Sequence, residues 1–138
     1  MTEKLEKMTL DYIAATEDLI AARKFGEGFF GMPDSARSSP VHMEYYNSVE
    51  AAVKELAGDE PDTATADSVV SFLLHADNDH PCSTLAQWML IAIQNHALPL
   101  IPFMSDDARA KEYEWFNAKV PRLQRLPTQQ KIAKALKK

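Results

Sequence analysis

The chain is poor in the residues that build disulfide or zinc frameworks. Cys82 is the only cysteine among the 138 residues, so no intramolecular disulfide can form and no zinc pattern of paired cysteines exists. The N-terminus begins Met1-Thr-Glu-Lys-Leu-Glu-Lys and lacks the apolar run of a secretory signal. The lone thiol and the charged start together predict a cytoplasmic protein.

Long apolar runs are also scarce. One stretch, residues 85–104, has no charged side chain, but it contains Gln87, Gln94, Asn95, His96 and two prolines. A segment interrupted in this way is a poor candidate for a membrane span. It is a good candidate for a buried helix that is followed by an apolar segment. The sequence therefore predicts no membrane association.

Basic residues are missing from the middle of the chain. Between Glu55 and Ala108 there is no lysine or arginine, whereas nine aspartates and glutamates occur there. From Lys119 to Lys138 the pattern reverses, with seven basic residues and no acidic one. The overall net charge of −5 thus combines an acidic body with a basic tail, and each can attract a partner of opposite charge.

Alternation between apolar and polar residues, which is typical of strands, is not found, and no repeat of 20–50 residues is present. Apolar residues recur instead at three- and four-residue steps, which predicts an all-α fold. We expect a single domain over residues 1–138, a bundle of five to six helices with a basic helical tail at 119–138. Residues 25–40, which hold three of the four glycines, predict a long loop containing Gly and Pro.

Residues 75–84 read as a helix end followed by a helix start. The third helix is predicted to run from about Thr63 to Ala76, with Asn78 left-handed at its C-terminal end. Asp79 would then cap the fourth helix, with Pro81 in its first turn. That fourth helix is apolar on all sides around Trp88, which predicts that it is the central helix.

The same stretch concentrates metal-ligand residue types. His75, Asp77, Asp79 and His80 would form a metal-dependent active site if they converged. No H-E-x-x-H, paired-cysteine deaminase or EF-hand pattern accompanies them. We therefore prefer a polar turn between two helices, and keep metal binding, or acid–base work by His75 or His80, as alternatives.

Three further motifs favour structural interpretations. Gly26-Glu-Gly28-Phe-Phe-Gly31 matches a dinucleotide-binding pattern but follows a helix instead of a strand, which argues against a nucleotide role. A helix N-terminus could lower the pKa of Cys82, although a packed thiol is the simpler interpretation. Nucleic acid could bind the tail through Lys131, Lys134, Lys137 and Lys138, but the low overall pI of about 5.3 disfavours it.

None of these motifs indicates catalysis once its sequence context is considered, so a binding function is favoured by elimination. The sequence predicts a small protein-binding domain that recognises a basic protein. A protein without enzymatic activity is the simpler interpretation, and no cofactor is predicted. One concrete version is an inhibitor or immunity-type protein that blocks a basic active site. The predicted contact residues lie in the 25–40 loop and in two acidic turns: Phe29, Phe30, Asp59, Glu60, Asp62, Asp77 and Asp79.

Overall fold

The structure is a computed structural model that describes residues 1–25 and 39–137. Within these ranges the chain forms six α-helices and three short 3-10 turns, with no strand. The helices are α1 (Glu3–Phe25), α2 (Pro40–Ala57), α3 (Thr63–Asp79), α4 (Thr84–Ala92), α5 (Asp106–Lys119) and α6 (Pro127–Lys137). The prediction of an all-α bundle of five to six helices is confirmed. The predicted Gly/Pro loop falls mainly on residues 26–38, outside the described residues.

Local sequence signals set most of the helix limits. Pro40 occupies the first turn of α2, where its missing N–H costs no hydrogen bond. Gly58 ends α2 with a positive φ of 67°, and its N–H donates to the carbonyl of Lys54 at 2.9 Å. Ser105 caps α5 by accepting a hydrogen bond from the N–H of Ala108 at 3.1 Å. These three residue types therefore set the helix limits through their own local geometry.

The prediction for the end of α3 was wrong. The helix continues through Asn78 to Asp79, and no non-glycine residue in the described ranges has a positive φ. His80 leaves the helix at φ −124° and ψ 84°, because a following proline disfavours helical geometry in the residue before it. Ser83, and not Asp79, is the N-cap of α4, so Pro81 lies in a connection between helices.

Helix α3, and not α4, is the central helix. Five of its apolar residues are completely buried: Ala66, Val69, Val70, Leu73 and Leu74. It packs against α2, α4, α5 and the 3-10 turns at Ile93–Ala97 and Ile101–Phe103. Helix α4 spans only nine residues and leaves Trp88 54% exposed, so the prediction that it is buried on all sides was wrong.

The apolar stretch after α4 belongs largely to the core. Ala97, Leu100, Ile101 and Met104 are buried, while Phe103 remains partly exposed. Helix α6 packs on α5 and on the 3-10 turns at Ile93–Ala97 and Ile101–Phe103, and it buries Ile132 and Leu136. None of the described helices combines the length and the hydropathy that crossing a membrane requires.

Candidate functional site along helix α3

A polar cleft of about 550 Å³ runs along the solvent side of α3. We call it the α3 cleft. Its floor comes from α3, one wall from α5 and the other from Thr2 beside α1. The polar residues that line it are Thr2, Asp67, Ser68, Ser71, His75, Asp79, Lys111 and Glu112. The cleft therefore brings together one of the predicted histidines and one of the predicted aspartates.

His75 is tied to α5 and not to its neighbours in sequence. Its Nε2 lies 2.7 Å from Oε1 of Glu112, and its ring stacks on Trp115 with a centroid separation of 3.6 Å. The hydrogen bond to Glu112 raises the pKa of His75, against a smaller opposing effect of burial. A histidine oriented by a carboxylate can hold and release a proton near neutral pH, but here the pair also joins two helices.

His80 points to a different part of the molecule. Its Nδ1 donates to the carbonyl of Ala76 at 2.9 Å, and its Nε2 lies 3.0 Å from both carboxylate oxygens of Glu6 on α1. Both ring nitrogens face acceptors, so this arrangement favours the doubly protonated ring. Burial lowers the pKa of His80, but these hydrogen bonds and the charges of Glu6 and Asp79 raise it on balance.

The four predicted metal ligands do not converge. Among the described residues, no three histidine, cysteine, aspartate or glutamate side chains are grouped so that they could hold a metal ion. Asp77 is only partly exposed, and its Oδ1 accepts a long hydrogen bond of 3.4 Å from Nε2 of Gln94. Burial raises the pKa of Asp77. Because the side chain is partly buried, its carboxylate is less accessible to a partner than an exposed one.

Asp67 has a structural role at one end of the α3 cleft. Its carboxylate accepts hydrogen bonds from the backbone N–H of Ser105 at 2.9 Å and from its hydroxyl at 2.8 Å. Ser105 is the N-cap of α5, so Asp67 supports that helix start and compensates its positive dipole end. No pattern in the sequence predicts this contact, because 38 residues separate the two partners.

The first acidic turn, at residues 59–62, lies at the N-terminal end of α3. Asp59 and Glu60 are exposed, and neither forms an ion pair within the described residues. Asp62 is also exposed, but its Oδ1 accepts from the N–H of Thr65 at 2.7 Å and caps α3. That hydrogen bond lowers the pKa of Asp62, so the cap stays charged at neutral pH.

The second acidic turn, at residues 77–80, lies at the other end of α3. The 17 residues of this helix separate the two turns by about 25 Å. Asp79 is exposed and accepts from Nδ2 of Asn78 at 3.3 Å, while Nζ of Lys119 donates to Oδ1 of Asn78 at 2.6 Å. A cation therefore already lies at this end, whereas no cation among the described residues pairs with Asp59 or Glu60.

Cys82 is a packed residue in a connection between helices. It contacts the hydrophobic core, and its Sγ donates to Oε1 of Gln87 at 3.5 Å. Burial raises the pKa of the Cys82 thiol, and the charges of Glu17 and Asp77 raise it further. The raised pKa disfavours the alternative of a thiol activated by a helix N-terminus, and His80 pairs with Glu6.

The other residues that were predicted to contact a protein or nucleic-acid partner are either exposed or outside the described residues. Phe29 and Phe30 lie outside the described residues, as does Lys138. Lys131, Lys134 and Lys137 are exposed on α6. Trp88 is also exposed, although the sequence predicted that its helix is the central one.

Comparisons with protein-family models, with curated proteins and with solved structures found no match.

Proposed function

We propose that this protein is a binding domain for a basic protein, which it contacts through the acidic turn at residues 59–62. The carrying observation is that Asp59 and Glu60 are exposed carboxylates with no cationic partner among the described residues. Unpaired surface charges of one sign accelerate association with a partner of opposite sign and penalise wrong partners.

The position of this turn supports its use as a contact. It directly precedes the central helix, so the carboxylates lie next to an element whose apolar side is completely buried. Asp62 holds the turn in place through its hydrogen bond to Thr65. A turn anchored at one end in this way loses less conformational entropy when it binds than an unanchored loop does, which favours affinity.

The turn at the other end of α3 supports binding less well. Asp77 is partly buried, and the charge of Lys119 acts on its carboxylate. The roughly 25 Å between the two turns is within the reach of one standard interface, so Asp79 belongs to the edge of the same proposed surface. An inhibitor that covers a basic active site is one form this function would take.

Capture from native lysate tests the proposal. Immobilised protein is expected to retain a basic partner at low ionic strength and to release it as salt increases, because exposed charge pairs are screened. The double variant Asp59→Lys/Glu60→Lys is expected to lose that partner. The matched control Glu17→Lys/Asp18→Lys reverses two adjacent exposed carboxylates on α1 and is expected to keep it.

Equal capture by both double variants would contradict the proposal, because the charge of the turn would then be irrelevant. Asp62 is left intact in this design because it caps α3 and its loss would destabilise the fold. Thermal melting of both variants checks that neither has unfolded.

A further inference from the structure

A second cleft, of about 600 Å³, lies between α5 and α6. We call it the α5–α6 cleft. Four cationic side chains line it, Arg122 and Arg125 from the connection between the helices and Lys134 and Lys137 from α6. The residues that line it on the α5 side are Tyr113 and Asn117.

No carboxylate lines this cleft, and none of its four cations forms an ion pair within the described residues. The chain from residue 119 to residue 138 contains no acidic residue that could supply one. Asp106 and Glu114 line an adjoining concavity, which shares Tyr113, Asn117 and Lys137 with this cleft. Converging positive charges without internal compensation attract an anion from solution.

Arg125 is the positioned cation of the cleft. Its Nε donates to the carbonyl of Val120 at 3.2 Å, and its Nη2 donates to Oδ1 of Asn117. The guanidinium also lies 5.9 Å from the centre of the buried Phe116 ring. These partners are neutral oxygens and a ring, which fix the planar group without cancelling its charge. An arginine held in this way can present its remaining N–H groups in pairs to a phosphate.

We propose that the α5–α6 cleft binds a small anion carrying several phosphate groups. Two arginines and two lysines match such a ligand, since guanidinium groups bind phosphate oxygens in pairs and ammonium groups add charge. The amide of Asn117 and the hydroxyl of Tyr113 are nearby polar groups that can orient it. A volume of about 600 Å³ is in the usual range for small-molecule sites.

A small anion fits the charge distribution better than a nucleic acid does. The protein as a whole carries a net charge of −5, so a long polyanion that left the cleft would meet an acidic body. The cations converge on one concavity and do not follow an extended path with interleaved aromatic residues. The attraction is therefore local to the cleft.

Titration calorimetry with inorganic tripolyphosphate tests this proposal. Saturable binding is expected at low ionic strength, with affinity that falls as sodium chloride is added. The variant Lys134→Gln/Lys137→Gln is expected to weaken binding about tenfold or more, since two of the four charges are lost. Both lysines are exposed, so the fold is expected to survive their replacement.

The control variant Lys4→Gln/Lys7→Gln removes two exposed charges from α1 and is expected to bind as the wild type does. Amide chemical shifts would place the ligand, with changes expected at Asn117, Arg125 and Gln130. Equal weakening in both double variants, or the absence of saturable binding up to about 1 mM, would overturn the proposal.

Three further ligands test which anion the cleft prefers. Tighter binding of a nucleoside triphosphate than of tripolyphosphate supports the proposal and assigns a nucleotide, whereas equal binding supports it and assigns the phosphate chain alone. Tighter binding of a 12-nucleotide single strand than of either would overturn the small-anion proposal in favour of nucleic acid. Equal affinity for sulfate would overturn it as well, because the site would then be unspecific for several linked phosphates.

Discussion

Nε2 of His75 on α3 lies 2.7 Å from Oε1 of Glu112 on α5, and both side chains are mostly buried. The two residues are 37 positions apart in the chain, so this pair reports the packing of two helices. Stacking of the His75 ring on Trp115 fixes its plane. Because protonation of His75 strengthens its contact with Glu112 between two packed helices, the stability of the fold depends on pH.

The variant Glu112→Gln is expected to be less stable than the wild type mainly at low pH. The pKa of His75 is raised in the folded protein above its ordinary value of 6.5. Its contribution to stability is therefore fully present below about pH 6.5 and is lost as pH rises through the raised folded-state pKa. We expect the stability difference between the two proteins to be about 1 kcal/mol larger at pH 5.5 than at pH 8.5, after allowance for solvent screening.

Denaturant unfolding at both pH values measures this difference. Glu114→Gln removes an exposed carboxylate two residues away on the same helix and serves as the matched control. His80 titrates in all three proteins, so its contribution cancels in the comparison. A stability difference that does not change with pH, or that grows toward high pH, would contradict the expected role of the pair.

Fluorescence gives an independent view of the same histidine. In the variant Trp88→Phe, Trp115 is the only tryptophan, because the chain has two. A protonated imidazole stacked at 3.6 Å is expected to quench Trp115, so emission should rise as pH increases. The midpoint of that change is expected above 6.5, since Glu112 raises the pKa of His75.

The additional substitution His75→Gln should abolish this transition and leave emission nearly constant across the same pH range. A midpoint at or below 6.5 in the Trp88→Phe protein would be inconsistent with the pair. So would a transition that persists without the imidazole.

Residue types that act on their own backbone predicted much of the fold. Pro40, Gly58 and Ser105 set helix limits through local geometry, and the recurrence of apolar residues at three- and four-residue steps predicted the all-α fold. The end of α3 was missed because Asn78 suits a left-handed turn but equally tolerates a helix. Only the long-range contact with Lys119 and the proline after His80 distinguish these outcomes.

The candidate sites were less predictable, because they depend on pairs that are distant in sequence. Glu6 lies 74 residues from His80, and neither Glu112 nor Trp115 carried any signal of contact with His75. Burial was also misjudged for Trp88, since α4 is short and only one side of it meets the core. Charge segregation, which needs only composition, was visible in the sequence.

Cys82 is expected to react slowly with thiol reagents in the folded protein. Burial raises the pKa of its thiol, so the reactive thiolate is scarce at neutral pH. We expect modification by a disulfide reagent at pH 7 to be about tenfold slower than in protein unfolded in guanidinium chloride. A native rate equal to or above that of the unfolded chain would indicate an activated thiol and would restore a chemical role for this residue.

The contact between α1 and α2 contains a buried polar pair that should be measurable by a double-mutant cycle. The hydroxyls of Thr9 and Tyr45 lie 2.8 Å apart, and the Tyr45 ring stacks on Tyr12 with a centroid separation of 4.3 Å. Burial raises the pKa of Tyr45, which keeps its hydroxyl neutral. Tyr45→Phe is expected to destabilise the protein by about 1 kcal/mol, because the Thr9 hydroxyl loses one of its two partners.

Tyr113→Phe is the matched control, since the Tyr113 hydroxyl forms no hydrogen bond within the described residues, and it should change stability by less than about 0.5 kcal/mol. In the cycle, Thr9→Val removes the other hydroxyl while keeping the branched shape. The two changes are expected to couple by about 1 kcal/mol, because the hydrogen bond can be lost only once. Additive effects would mean that each hydroxyl acts alone, through Leu5 in the case of Thr9, and that aromatic stacking holds α1 and α2 together without this bond.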